Sequence, residues 1–176
     1  MRERVDRARL IAFLDALGQE AAAGTHAYLV GGASAVWVGW RTSTVDVDLR
    51  LEPDSDAVLR AIPRLKDELD INVELASPSD FLPEVPGWRD RSPFLGQHGN
   101  LAVFNYDFHA QALAKLERAH DIDRRDVAAM RGAGLIDCSR LRELFAAIEP
   151  RLFRFPAVDP PSFRRRLEAF CEERNS

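Results

Sequence analysis

Apolar residues at Val5, Leu10, Ile11, Leu14 and Leu17 recur at helical spacing and predict a helix over residues 2–23 that ends near Gly24. The short apolar run from His26 to Val30 predicts a strand, and Gly31-Gly32 turns the chain into a short helix over Ala33 to Trp40. A second strand is expected from Thr44 to Leu51. Residues i and i+2 of a strand share a face, so Asp46 and Asp48 point one way, and Val45, Val47 and Leu49 point the other. Pro53-Asp54-Ser55 is a helix-start signal, followed by the helical rhythm of Val58, Leu59, Ile62 and Leu65 up to Leu69. Ile71 to Leu75 predicts a third strand with Asn72 and Glu74 on one face.

Residues 76–92 hold Pro78, Pro83, Pro86 and Gly87 and read as an irregular loop. Phe94-Leu95 and Leu101 to Phe104 flank a Gly-containing segment, the pattern of a hairpin. Beyond Tyr106 the pattern is helical over 108–119, 123–132, 138–148 and 161–173. The order implies an α/β (α+β) fold, a small mixed sheet with helices against it and a C-terminal helical bundle. The expected division is a core over 1–105 and a helical region over 106–176, with no flexible linker between them.

Composition narrows the class. The 176 residues are 46% hydrophobic and 30% charged, the mix of a globular chain that buries a sizeable core. A net charge of −4 argues against a chain wrapped end to end in nucleic acid, although Arg151, Arg154, Arg164, Arg165 and Arg166 crowd the tail. That tail reads as a solvated amphipathic helix ahead of an RNA-binding one. No apolar run approaches the roughly 20 residues that span a bilayer, and the charged, amphipathic start is unlike a signal peptide. Cys138 and Cys171 give neither a disulfide framework nor a metal-binding spacing, so a cytoplasmic location is expected, with no membrane partner. The four histidines have no metal-ligand spacing, and Trp37, Trp40 and Trp88 read as core or loop anchors.

The chemistry concentrates between Tyr28 and Leu51. Two carboxylates side by side in an apolar strand repel each other and lose hydration unless a positive charge sits between them. A divalent cation supplies it, and Mg²⁺ prefers carboxylate oxygens together with substrate phosphate oxygens. A helix N-terminus behind two glycines exposes N–H groups to a phosphate, and Ser34 adds a hydroxyl. The competing structural readings are a plain turn at the glycines, and a solvated strand face paired with Arg41 and Arg50 at the acids.

Val30-Gly31-Gly32 followed by Asp46-Val47-Asp48-Leu49 resembles the signature of the nucleotidyltransferase superfamily with the DNA polymerase beta fold. The resemblance implies that Asp46 and Asp48 hold Mg²⁺ on a nucleoside triphosphate cradled by Gly31, Gly32 and Ser34. It also implies a third carboxylate that activates the acceptor hydroxyl. Glu74 is the best match, with Asp70 and Asp123 as competitors. The stretch from Lys115 to Val127 resembles the downstream motif of minimal bacterial AbiEii-type nucleotidyltransferase toxins, and longer stretches resemble an uncharacterised related clade. On that resemblance Lys115 neutralises phosphate charge and Asp123 and Asp126 complete the site. The structural alternative is helix capping by the aspartates and a surface role for the lysine.

The leading expectation is therefore an Mg²⁺-dependent nucleotidyltransferase that transfers a nucleoside monophosphate to a tRNA 3′ end or a protein hydroxyl. By resemblance it belongs to a toxin–antitoxin or phage-defence module with a cognate antitoxin. The alternatives are a catalytically silent nucleotide-binding or antitoxin-like regulator and a metal-dependent phosphohydrolase.

Overall fold

The computed structural model describes residues 1–173, which form two compact units, Met1–Ser77 with Ser92–Tyr106 and Pro78–Arg91 with Asp107 onward. The segment read as an irregular loop, residues 78–91, thus belongs with the C-terminal helices. It contains one short 3₁₀ turn, Pro78–Asp80.

The first unit is a mixed five-stranded sheet made of β1 (Thr25–Val30), β2 (Asp46–Glu52), β3 (Asn72–Leu75), β4 (Phe94–His98) and β5 (Leu101–Asn105). The strand order is β3-β2-β1-β5-β4. β1 runs antiparallel to β2 and parallel to β5, β2 runs parallel to β3, and β4 and β5 form the hairpin. Helices α1 (Arg7–Glu20), α2 (Gly31–Val38) and α3 (Asp56–Glu68) supply the rest of the core. Leu10, Phe13, Leu14, Val36, Val58 and Leu65 pack with Leu29, Val47, Leu49 and Val103 of the strands. This is the α+β architecture that the apolar pattern predicts.

Alternation fixes the orientation of β2. Val47, Leu49 and Leu51 are buried, while Asp46, Asp48, Arg50 and Glu52 are half-exposed on the other face. A register slip of one residue would bury four charged side chains, so the pairing is strongly specified. α3 starts where Ser55 accepts a hydrogen bond from the Val58 N–H, and it buries Val58, Ala61, Ile62 and Leu65.

Several boundaries differ from expectation for physical reasons. α1 begins at Arg7 because the Asp6 carboxylate caps it by accepting from the Arg9 N–H. The residues before it are extended, and Val5 pairs with Thr44 as an isolated bridge. Gly31 and Gly32 are the first residues of α2 and do not form a separate turn. Val45, expected on the apolar face of the second strand, precedes β2 and is exposed, as is Leu75 at the end of β3. Gly18 has a role its helical position conceals: a β-carbon there would stand 1.9 Å from the His98 carbonyl oxygen, so α1 closes on the β4–β5 hairpin only without a side chain.

In the second unit α4 (Phe108–Arg118) packs against α5 (Asp121–Gly132), α6 (Cys138–Ile148) and α7 (Pro160–Glu172). Asp107, Asp137 and Asp159 cap α4, α6 and α7 with their side chains. Phe145 and Phe163 meet edge to face at 4.8 Å in its interior. Cys138 and Cys171 form a disulfide, which overturns the expectation of no disulfide framework. Their spacing of 33 residues matches no motif, but the packing of α6 on α7 brings the two Cα atoms to 5.7 Å, within the range a disulfide spans. Among the described residues, no helix is long and apolar enough to cross a membrane.

Candidate active site

β2 places Asp46 and Asp48 on the sheet face away from the buried Val47 and Leu49. In the parallel pairing with β3, Asp46 stands opposite Asn72 and Asp48 opposite Glu74. Register partners project from the same face, so three carboxylates and one amide share a single surface. Asn72 Nδ2 donates to Asp46 Oδ1, which fixes one carboxylate. Glu74 is exposed beside Asp48. Asp70 lies in the turn before β3 with φ of 50° and is outside the paired row, so of these two candidates only Glu74 stands beside the acids of β2.

The glycines meet this row from β1. Val30 pairs with Asp48, and α2 begins at the next residue. Gly31 has φ of 57°, and a β-carbon on it would stand 3.0 Å from Asp48 Oδ2. Left-handed backbone and a close carboxylate together require glycine here. Gly32 has a different task. Its missing β-carbon would lie 2.0 Å from Thr44 Oγ1, so it lets the lead-in to β2 close on α2. Val30 gives the helix no side-chain cap, and the first-turn N–H groups of α2 begin beside the Asp48 carboxylate. Ser34 is fully buried, so its hydroxyl lies within the packing of α2.

The donor set fits a hard cation. Asp46 and Asp48 offer carboxylate oxygens on one face, the donor type that a hard cation such as Mg²⁺ prefers. Among the described residues, no three His, Cys, Asp or Glu side chains make a preformed metal cage.

The downstream motif forms a separate network in the second unit. Lys115 is buried, and its Nζ donates to Asp126 Oδ2 at 2.7 Å and to Asp123 Oδ1 at 3.4 Å. Arg118 donates to both oxygens of Asp123, at 2.8 and 2.6 Å, and the His120 N–H adds a bond at 3.3 Å. Burial pushes the Asp123 carboxyl up, but the Arg118 hydrogen bonds and the charges of Lys115 and Arg118 outweigh it and hold the group below the usual carboxylate range. A carboxylate so held is a poor proton acceptor, and its geometry is that of an anchor for Lys115 and Arg118. Asp123 and Asp126 do share the buried face of α5, as their spacing predicts.

Sequence reasoning missed two partners. Arg118 had no signal of its own beyond lying three residues after Lys115. Asp107 is almost wholly buried at the head of α4, and Arg91 donates to its Oδ2 at 3.0 and 2.6 Å. Burial pushes this carboxyl up, but hydrogen bonds from His109 and Arg91 and the arginine's charge bring it below its ordinary value. An aspartate just before a helical run is a capping signal, whereas its arginine partner comes from the Pro-rich segment, where no pattern marks it.

No curated protein and no solved structure shows significant similarity to the chain. A family model described as a nucleotidyltransferase of unknown function (DUF6036) matches residues 8–154, a span that takes in the glycines, the acids of β2 and the Lys115 network. The chain belongs to this nucleotidyltransferase family.

Proposed function

We propose that this chain transfers a nucleoside monophosphate from a nucleoside triphosphate to a hydroxyl of a macromolecule, with Mg²⁺ held by Asp46 and Asp48. The observation that carries the reading is the Asp48 carboxylate set against Gly31 where α2 begins. This arrangement brings carboxylate oxygens for the cation and backbone N–H groups for phosphate to one place. Bound Mg²⁺ supplies charge neutralisation for the triphosphate and in-line alignment of the displacement. Asp46, steadied by Asn72, and Asp48 would hold that cation where the phosphates meet it, and Gly31 leaves room for their approach. Glu74, exposed beside Asp48, takes the proton of the acceptor hydroxyl. The hydroxyl oxygen bonds to the α-phosphorus, the bond from that phosphorus to the bridging oxygen breaks, and pyrophosphate leaves with the electron pair.

The resemblance to AbiEii-type toxins supports a cytoplasmic toxin–antitoxin or phage-defence setting, with a tRNA 3′ end or a protein hydroxyl as acceptor and an antitoxin as partner. The test incubates the protein with each α-labelled nucleoside triphosphate, Mg²⁺, and either total RNA or protein lysate. Label in one macromolecular fraction with release of pyrophosphate is expected, and Asp48→Asn should abolish both without lowering the melting temperature. Transfer that survives Asp48→Asn defeats the assignment. Mg²⁺-dependent nucleotide binding without pyrophosphate release would mark a silent regulator, and release of free phosphate would mark a hydrolase.

A further inference from the structure

On the same sheet face as the acids, an aromatic row crosses the strands one step further along. Phe94 of β4 pairs with Phe104 of β5, Phe104 with Tyr28 of β1, and Tyr28 with Arg50 of β2. The rings are in contact. Tyr28 and Phe104 stack with centroids 5.1 Å apart and planes 22° apart, and Phe94 meets Phe104 edge-on at 5.4 Å. Exposure rises outward along the row: Tyr28 is buried, Phe104 is half-buried and Phe94 is 59% exposed. Cross-strand aromatic pairing stabilises a sheet, but it does not require the outermost ring to face solvent.

The position of the row relative to the acids gives it a use. Arg50 follows Asp48 by two residues on β2, so the two rows are about 6.6 Å apart along the strand. Phe104 lies two strands over from β2, about 10 Å across the sheet. A ligand whose phosphates sit against Asp48 and Gly31 therefore has Phe104 within the reach of its far end. That end, in a nucleoside triphosphate, is a flat aromatic base. Arg50, paired at 2.8 Å with Glu52, stands at the β2 end of the row, two residues along the strand from Asp48.

We propose that Phe104, flanked by Phe94 and backed by Tyr28, is the stacking platform for the base of the incoming nucleotide. The inference rests on the reading of Asp46, Asp48 and Gly31 as the triphosphate site, and it assigns the affinity for the nucleoside half to these rings. Stacking uses the π-face that every base possesses, so the platform accepts all four bases and favours the larger purines.

Calorimetry of the whole chain with Mg²⁺ and three probes tests it: ATP, CTP and inorganic tripolyphosphate. Phe94→Ala changes an exposed ring, and Phe104→Leu keeps apolar volume while removing the π-face, so both variants should stay folded with only a small drop in melting temperature from the lost ring contacts. Phe104→Leu should weaken ATP binding on the order of tenfold, Phe94→Ala should weaken it less, and CTP should show smaller losses. Tripolyphosphate binding should not change in either variant. Unchanged ATP affinity in Phe104→Leu, or an equal loss for tripolyphosphate, overturns the platform while leaving the acid site standing. Failure of wild type to bind both tripolyphosphate and ATP overturns the acid site, and the platform with it.

Discussion

Asp48 Oδ2 lies 3.0 Å from the point where a β-carbon on Gly31 would stand, so the carboxylate and the glycine are fitted to one another. Gly31→Ala would impose two costs. The left-handed backbone at φ 57° costs an L-residue about 1–2 kcal/mol, and the new methyl crowds the carboxylate. Gly24→Ala separates them, because Gly24 also has positive φ, at 84°, with nothing within 4 Å of its missing β-carbon. Both variants should lose stability by urea denaturation, Gly31→Ala by the larger amount because it adds the crowding to the shared backbone strain. Only Gly31→Ala should lose nucleotide transfer, and equal activities in the two would show that the fit to Asp48 has no functional weight.

Lys115 and Asp126 form a buried pair whose single removal should be expensive. Lys115→Met removes the buried ammonium that holds Asp126 at 2.7 Å and should destabilise the fold by about 3–5 kcal/mol. The double variant Lys115→Met with Asp126→Leu should recover a large part of that loss, because its two changes are coupled. Denaturant midpoints of the two singles and the double measure the coupling. If Lys115 serves transfer as well as packing, the double variant regains stability and stays inactive.

The legibility of these features followed their range in sequence. β2 and its acids could be read because side-chain alternation is local and one face must be buried. α3 could be read from apolar spacing and from Ser55 at its cap, and α4 from its helical pattern alone. The parallel pairing of β1 with β5 could not, because it joins strands separated by two α-helices and three other strands. Gly18 against His98, Asn72 on Asp46 and Arg91 on Asp107 escaped notice for the same reason: each depends on a partner that only tertiary packing supplies. Asp123 was legible as a member of the motif, but its role was not, since the spacing from Lys115 does not reveal that Arg118 occupies both its oxygens.

The disulfide between α6 and α7 closes a loop of 33 residues, and a cross-link of that length stabilises a chain by about 3–4 kcal/mol through the unfolded state. Adding a reductant should lower the denaturation midpoint, and Cys138→Ser and Cys171→Ser should each reproduce the reduced midpoint. The variants should then be insensitive to reductant. A wild-type midpoint identical with and without reductant would show that the bond does not form in solution.

Asp107 and Asp123 give acid stability a defined sign. Both are held below the ordinary carboxylate range once folded, so each favours the folded state at any pH above the unfolded value of about 3.9. Their contribution is lost as the pH falls through the folded values, where the native state must take up protons that the unfolded chain has already bound. Stability should therefore be level through neutral pH and decline below about pH 4. Asp123→Asn removes one of the two groups and leaves Arg118 and Lys115 facing an amide, so it should lower stability at pH 7 and flatten the acid decline. Urea denaturation of wild type and variant between pH 3 and pH 7 decides it. Parallel curves across that window would mean that Asp123 is no more acidic in the folded protein than in the unfolded chain, and that its pairing with Arg118 is not maintained in solution.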